Sequence, residues 1–125
     1  MMKKCLLLVA AGLAASAALA QGQERLIQVQ VVGGKIQVPE QVAVVKRSHA
    51  AIRWQISTPG HSFPDNGIVI QDAGDAIHGC KPTHQGASFT CLRRGHVAGQ
   101  RYKYDVNVRQ GDKALPTLDP IIQNE

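Results

Sequence analysis

Cysteine, histidine and glutamine recur at short spacing in Cys91-x4-His96-x3-Gln100, inside the stretch from Phe89 to Val108. A thiolate is a soft metal donor, an imidazole suits copper or zinc, and a glutamine oxygen serves as a weak axial ligand, so the trio can line a transition-metal loop. The same three residues also suit a plain hairpin end, as a disulfide cysteine, a loop histidine and a strand-start glutamine. Arg93 and Arg94 lie between them. Paired guanidiniums either capture a carboxylate or phosphate or discourage edge pairing of strands. His78-x-Cys80-x3-His84 is a second candidate cluster, for Zn or Cu(II), although structural zinc wants four ligands at more regular spacing.

Catalytic signatures are missing. The chain has no Gly-x-Ser-x-Gly elbow, no His-Glu-x-x-His, no phosphate-cradling glycine loop and no dinucleotide fingerprint. Asp65, Asp72 and Asp75 with His61 and His78 can in principle form an acid–base pair, but turn chemistry accounts for the aspartates. The expectation is a protein that is not an enzyme.

The beginning of the chain sets the chemistry available to the sulfurs. Lys3 and Lys4 precede an apolar or small run from Cys5 to Ala17, and Ala18-Leu19-Ala20 is a small-x-small cleavage motif. This is the pattern of a secretory signal peptide covering residues 1–20. No charged stop-transfer flank follows, so the expected product is periplasmic or secreted and not membrane-spanning. Cleavage removes Cys5, leaving Cys80 and Cys91 as an even pair in an oxidising compartment. A disulfide between them closes the loop from Lys81 to Thr90, worth about 3 kcal/mol by loop entropy.

Cleavage also removes Lys3 and Lys4, so the formal net charge falls from +5 to +3. That mild excess favours anionic envelope components or another periplasmic protein as partners. Beyond the signal the paired basic residues are Lys46-Arg47 and Arg93-Arg94. No nucleic-acid partner is expected, because such binders cluster basic residues with stacking aromatics.

Strands must position all of these groups. Ile27, Val29 and Val31 alternate with Gln28 and Gln30, Gly33-Gly34 turns, and Lys35–Val38 alternates again before Pro39. Residues 41–46 are rich in valine. Ile52, Trp54 and Ile56 share a face opposite Arg53, Gln55 and Ser57, which places Trp54 at the centre of the core. Pro64-Asp65-Asn66-Gly67 is turn chemistry, with Asn66-Gly67 suited to positive φ. Ile68–Ile70, Phe89–Leu92 and Arg101–Arg109 are further strands. The segment from Asp72 to Gly86 reads as a loop, and residues 115–125 as an extended, proline-punctuated tail whose Leu118, Ile121 and Ile122 can pack on one end. No stretch beyond the signal shows the 3.6-residue period. The expectation is one all-β domain over residues 21–125, an antiparallel Greek-key β-sandwich of about seven strands.

Three of these features together resemble the cupredoxins, the Greek-key sandwiches that hold type 1 copper. One is the early Gly33-Gly34 with the following Val38-Pro39. Another is Phe63-Pro64-Asp65-Asn66-Gly67-Ile68-Val69, similar to the Phe-Pro-His-Asn-Ile-Val segment of plastocyanin-like members. The third is Cys91-x4-His96-x3-Gln100, which has the spacing of the azurin-type ligand loop, with glutamine where azurins carry methionine and stellacyanin-like proteins carry glutamine. The first copper histidine of the family falls on Asp65, and His61 lies four residues earlier. The end of the chain, from Tyr102-Lys103-Tyr104 to Asn124, looks like that of small exported bacterial proteins of unassigned function, which implies a cupredoxin-like sandwich used without copper. Two functional expectations follow. One is a non-catalytic binding or envelope-associated module stapled by Cys80–Cys91, without a cofactor. The other is a copper electron carrier using Cys91, His96, Gln100 and His61 or Asp65. They make opposite demands on the sulfur of Cys91.

Overall fold

The computed structural model describes residues 23–125; the expected signal peptide, residues 1–20, lies outside the described residues. The first half of the chain forms strands β1 (Gln23–Val32), β2 (Lys35–Gln37), β3 (Val42–Val45), β4 (His49–Ile56), β5 (His61–Ser62) and β6 (Ile68–Ile70). The second half adds β7 (Ile77–Thr83), β8 (Ser88–Arg93), β9 (Arg101–Val106), β10 (Arg109–Gln110), β11 (Lys113–Ala114) and β12 (Ile121–Asn124). A short 3-10 turn at His84–Gly86 links β7 to β8.

Alternation decides which face each strand buries. In β1, Ile27 and Val29 are buried while Gln28 and Gln30 are exposed; in β4, Ile52, Trp54 and Ile56 are buried, as expected from their spacing. These strands form a five-stranded sheet in the order β2-β1-β4-β8-β7. A second sheet, β3-β12-β9-β6, turns Ala43, Val45, Ile68, Tyr102, Tyr104, Val106 and Ile122 inward. The third, β11-β10-β5, is a small ribbon that pairs Arg109 with Ser62 and Gln110 with His61.

The core joins contributions from both large sheets. Trp54 and Tyr104 are fully buried, with ring centroids 5.3 Å apart, and the Trp54 indole N–H donates to the Tyr104 hydroxyl at 3.2 Å. Phe89 stands beside Trp54 in the β4–β8 register and meets Phe63 edge-on at 5.8 Å. The polar atoms of the indole and one phenol are thereby matched inside an otherwise apolar layer.

Several sequence expectations are corrected. Among the described residues the strands number twelve in three sheets rather than about seven. The sheets are mixed, because β1 runs parallel to β4 and β3 parallel to β12. Residues 72–86 are not all loop: β7 occupies Ile77–Thr83 on the sheet edge, where Pro82 costs less because an edge strand has one side free of ladder bonds. The tail is not a loose cover either. Its last residues form β12, an interior strand between β3 and β9, with Ile122 opposite both Ala43 and Tyr102. The strand from Arg101 stops at Val106, where Val106 and Leu118 bridge. Gly67 does not adopt positive φ; it is small because an added Cβ would sit 2.8 Å from the Cβ of Phe63.

Candidate functional site

The register of β7 against β8 pairs His78 with Leu92 and then Lys81 with Thr90. Two residues, Gly79 and Cys80, therefore stand opposite the single residue Cys91. Gly79 takes φ +61°, the left-handed conformation that a bulge of this kind requires and that glycine adopts without steric penalty. The bulge brings the two cysteines together, and their sulfurs are bonded with Cα atoms 4.0 Å apart. Cys91 is fully buried on the same face as Phe89, while Cys80 is half-buried.

The candidate copper ligands are spread over separate elements. The Cys91 sulfur is held in the disulfide. His61 belongs to β5 and its Nδ1 lies 2.8 Å from the carbonyl of Pro59, to which it must donate because a carbonyl only accepts. His96 is engaged by Arg93 and by Glu125. Asp65 and Gln100 are exposed. In the second cluster, His78 Nδ1 faces the carbonyl of Asp75 at 3.1 Å, and His84 is exposed in the 3-10 turn. Among the described residues, no three His, Cys, Asp or Glu side chains gather as a group able to hold a metal ion. No helix among them is long and apolar enough to cross a membrane.

What the structure does bring together is a polar cluster around Arg93. Continuing the inward alternation of Phe89 and Cys91, this last residue of β8 directs its guanidinium under the end of the sandwich. One terminal nitrogen donates to the carbonyl oxygens of Lys46, at 2.8 Å, and His49. The other donates to His96 Nδ1 at 2.8 Å and to Asn124 Oδ1 at 3.2 Å. Because arginine only donates, His96 Nδ1 must accept, and Nε2 carries the ring proton that it gives to the Glu125 backbone oxygen at 2.9 Å. Asn124, a buried polar residue, spends its amide N–H on the carbonyl of Val97 at 3.0 Å.

The four acceptors bonded directly to Arg93 are uncharged, while the negative charge of Glu125 lies close enough to act on neighbouring His49. Ion pairs among the described residues join Arg25 to Glu40, Arg53 to Glu24 and Lys103 to Asp119, and none of them reaches Arg93. Burial pulls the Arg93 pKa below its ordinary value, with Tyr102 acting in the opposite direction. Beside it lies a cavity of about 80 Å³ lined by Ile77, Arg93, Arg94, Gly95, His96 and Tyr102 among others. Arg94 is exposed, and its backbone N–H is anchored on the Ala76 carbonyl at 2.9 Å.

Arg93, Arg94 and His96 stand out in the sequence, whereas Asn124 and the carbonyls of the Lys46–His49 turn do not. A polar residue two places after Ile122 is the available signal for Asn124, since both fall on the inward face of β12. The chain matches no family model and no curated protein.

Proposed function

We propose that this protein is an exported, non-catalytic β-sandwich of cupredoxin-like Greek-key topology that serves as a binding or envelope-associated module without copper. The observation that carries this reading is the Cys80–Cys91 bond, which occupies the one sulfur that a type 1 copper site would need as a thiolate. The bond also favours an oxidising compartment, periplasmic or outside the cell. The sheet order supports the topology, since the chain passes repeatedly between two packed layers. All five aromatic side chains, Phe63, Phe89, Trp54, Tyr102 and Tyr104, are buried, which leaves no stacking platform for nucleic acid among the described residues. The exposed Lys46, Arg47 and Arg94 make an anionic envelope component the favoured partner, with another periplasmic protein as the other choice.

The test is a thiol titration of the purified, non-reduced protein followed by a visible spectrum after addition of copper. The expected result is no free thiol in the mature chain, no colour, and a lower melting temperature after reduction. Two titratable thiols with intense absorption in the blue-copper region would replace this reading with the electron carrier. N-terminal analysis of the exported protein is expected to begin at Gln21; retention of residues 1–20 would remove the export argument.

A further inference from the structure

We propose that the cavity at the Arg93 end of the sandwich binds one phosphate monoester, an inference that rests on reading the protein as a binding module. The cavity has about 80 Å³, and its wall includes two consecutive arginines. A single water needs about 10–15 Å³ of such space, so the cavity holds several waters or one compact anion. The guanidinium of Arg93 spends its four terminal N–H groups on Lys46, His49, His96 and Asn124, which leaves Nε–H as its donor without a partner among the described residues. No carboxylate among the described residues pairs with that charge. Glu125 lies nearby, through His96, but makes no ion pair with Arg93; a half-buried cation whose direct acceptors are all uncharged is a costly arrangement, and an incoming anion relieves it.

Arg94 supplies the second charge. Its backbone is pinned to Ala76 while its side chain is exposed at the rim, and Gly95 at φ +71° turns the chain immediately afterwards. Two guanidiniums match a phosphate monoester, which carries about −1.5 to −2 at pH 7, better than they match a carboxylate or a phosphodiester of single charge. Arg94 can offer a fork of donors to the phosphate oxygens, to which Arg93 adds its single Nε–H. The hydrogen bonds of His96 and Asn124 hold the back of the site in place.

Inorganic phosphate and the terminal phosphate of an envelope lipid share this chemistry, so the experiment has two arms. In the first, the non-reduced protein is titrated with sodium phosphate against sodium chloride at matched ionic strength, following the backbone amide resonances of Gly95 and His96. Saturable shifts with phosphate alone are expected, weakened about tenfold or more in Arg94→Gln, the cost of losing charge-assisted hydrogen bonds. Arg94 is exposed, so this variant is expected to keep the native melting temperature. In the second arm, the protein is floated with phosphatidylcholine vesicles carrying either phosphatidic acid or phosphatidylglycerol. Preference for phosphatidic acid supports the site and assigns the ester to a lipid; phosphate saturation without vesicle binding supports it with a soluble ester. Phosphate shifts indistinguishable from chloride, an unaltered Arg94→Gln titration, or equal binding to both anionic lipids without phosphate saturation would overturn it. None of these readouts depends on export or on the thiol count, so this proposal and the module reading fail separately.

Discussion

The middle of the sandwich and its Arg93 end solve the same problem with opposite materials. In the middle, Trp54, Phe89 and Tyr104 are buried completely, and the one polar contact among them, indole to phenol, is internal and matched. At the end, a single guanidinium collects the β3–β4 turn, the loop after β8 and the last strand through four hydrogen bonds to neutral acceptors. The middle is shared among several large side chains drawn from both sheets. The end depends on one residue. Damage in the middle should therefore unfold the whole domain, whereas damage at the end should loosen one edge and leave the sheets paired.

Trp54→Ala provides the largest expected break. Removing so large a buried side chain and leaving a cavity costs about 3–5 kcal/mol, a large part of the total stability of a small domain. Urea denaturation should show the loss, with the wild-type Trp54 emission blue-shifted in the native state as befits a fully buried indole. Native emission typical of water would mean that β4 faces the other way.

The middle also carries a pH signature. Burial pushes the Tyr104 hydroxyl up to about 12, partly opposed by the hydrogen bond from Trp54 and the field of Arg25. A raised folded-state value means that the folded protein holds its proton where the unfolded chain, near 10, has released it. Stability is thus complete below about pH 10 and declines as pH rises toward 12, by roughly 2–3 kcal/mol in all. Denaturation midpoints between about pH 9 and 12 check this, and Tyr104→Phe should remove that part of the slope. An unchanged slope in the variant would assign the alkaline loss to other groups.

Much of the middle was legible in the sequence, and the reason is local. Ile27 and Val29 in β1, and Ile52, Trp54 and Ile56 in β4, alternate with polar neighbours, so period-two burial announces them. β7 was not legible because Gly79, Lys81 and Pro82 break that alternation at a bulged edge. Nor was β12, whose partner Val42–Val45 lies at the other end of the chain, where no local pattern signals a parallel pairing. At the site, the types Arg93 and His96 were visible, but their roles were not. Half of the acceptors that fix Arg93 are backbone carbonyls, which belong to every residue and form no motif. The Cys80–Cys91 pairing was legible from the even cysteine count in an exported chain, but the bulge at Gly79 that brings the two together was not.

Arg93→Gln sharpens the contrast. A neutral amide cannot span all four acceptors, and the Lys46 and His49 carbonyls lose the guanidinium, Lys46 keeping the His49 backbone N–H. The expected cost is about 1–3 kcal/mol. Amide hydrogen exchange should separate this variant from the Trp54 one: protection should fall at His49, Gly99 and Asn124 while Ile52 and Phe89 keep theirs. Uniform loss of protection would mean that the end is no less central to the fold than the aromatic layer.

The smallest effect should come from His49, on the same end. Its Nδ1 accepts the backbone N–H of Lys46 at 2.9 Å, a bond that only the unprotonated nitrogen can make. Burial, and then the positive fields of Arg25, Arg93 and Lys46, lower its pKa from the ordinary 6.5, while Glu125 acts in the opposite direction. A depressed folded-state value means that the unfolded chain takes up a proton first as the solution is acidified. The contribution is therefore intact above about pH 6.5 and is lost as pH falls below it through the folded value. The ring is only partly buried and water screens the cationic fields, so the acid slope should be shallower than the alkaline one set by Tyr104. Comparing urea midpoints at about pH 7.5 and 5 for the wild type and His49→Gln isolates it, because glutamine keeps a hydrogen-bond acceptor and does not titrate. If the two proteins lose stability in parallel over that range, His49 is not the group responsible and the acid response belongs elsewhere in the cluster.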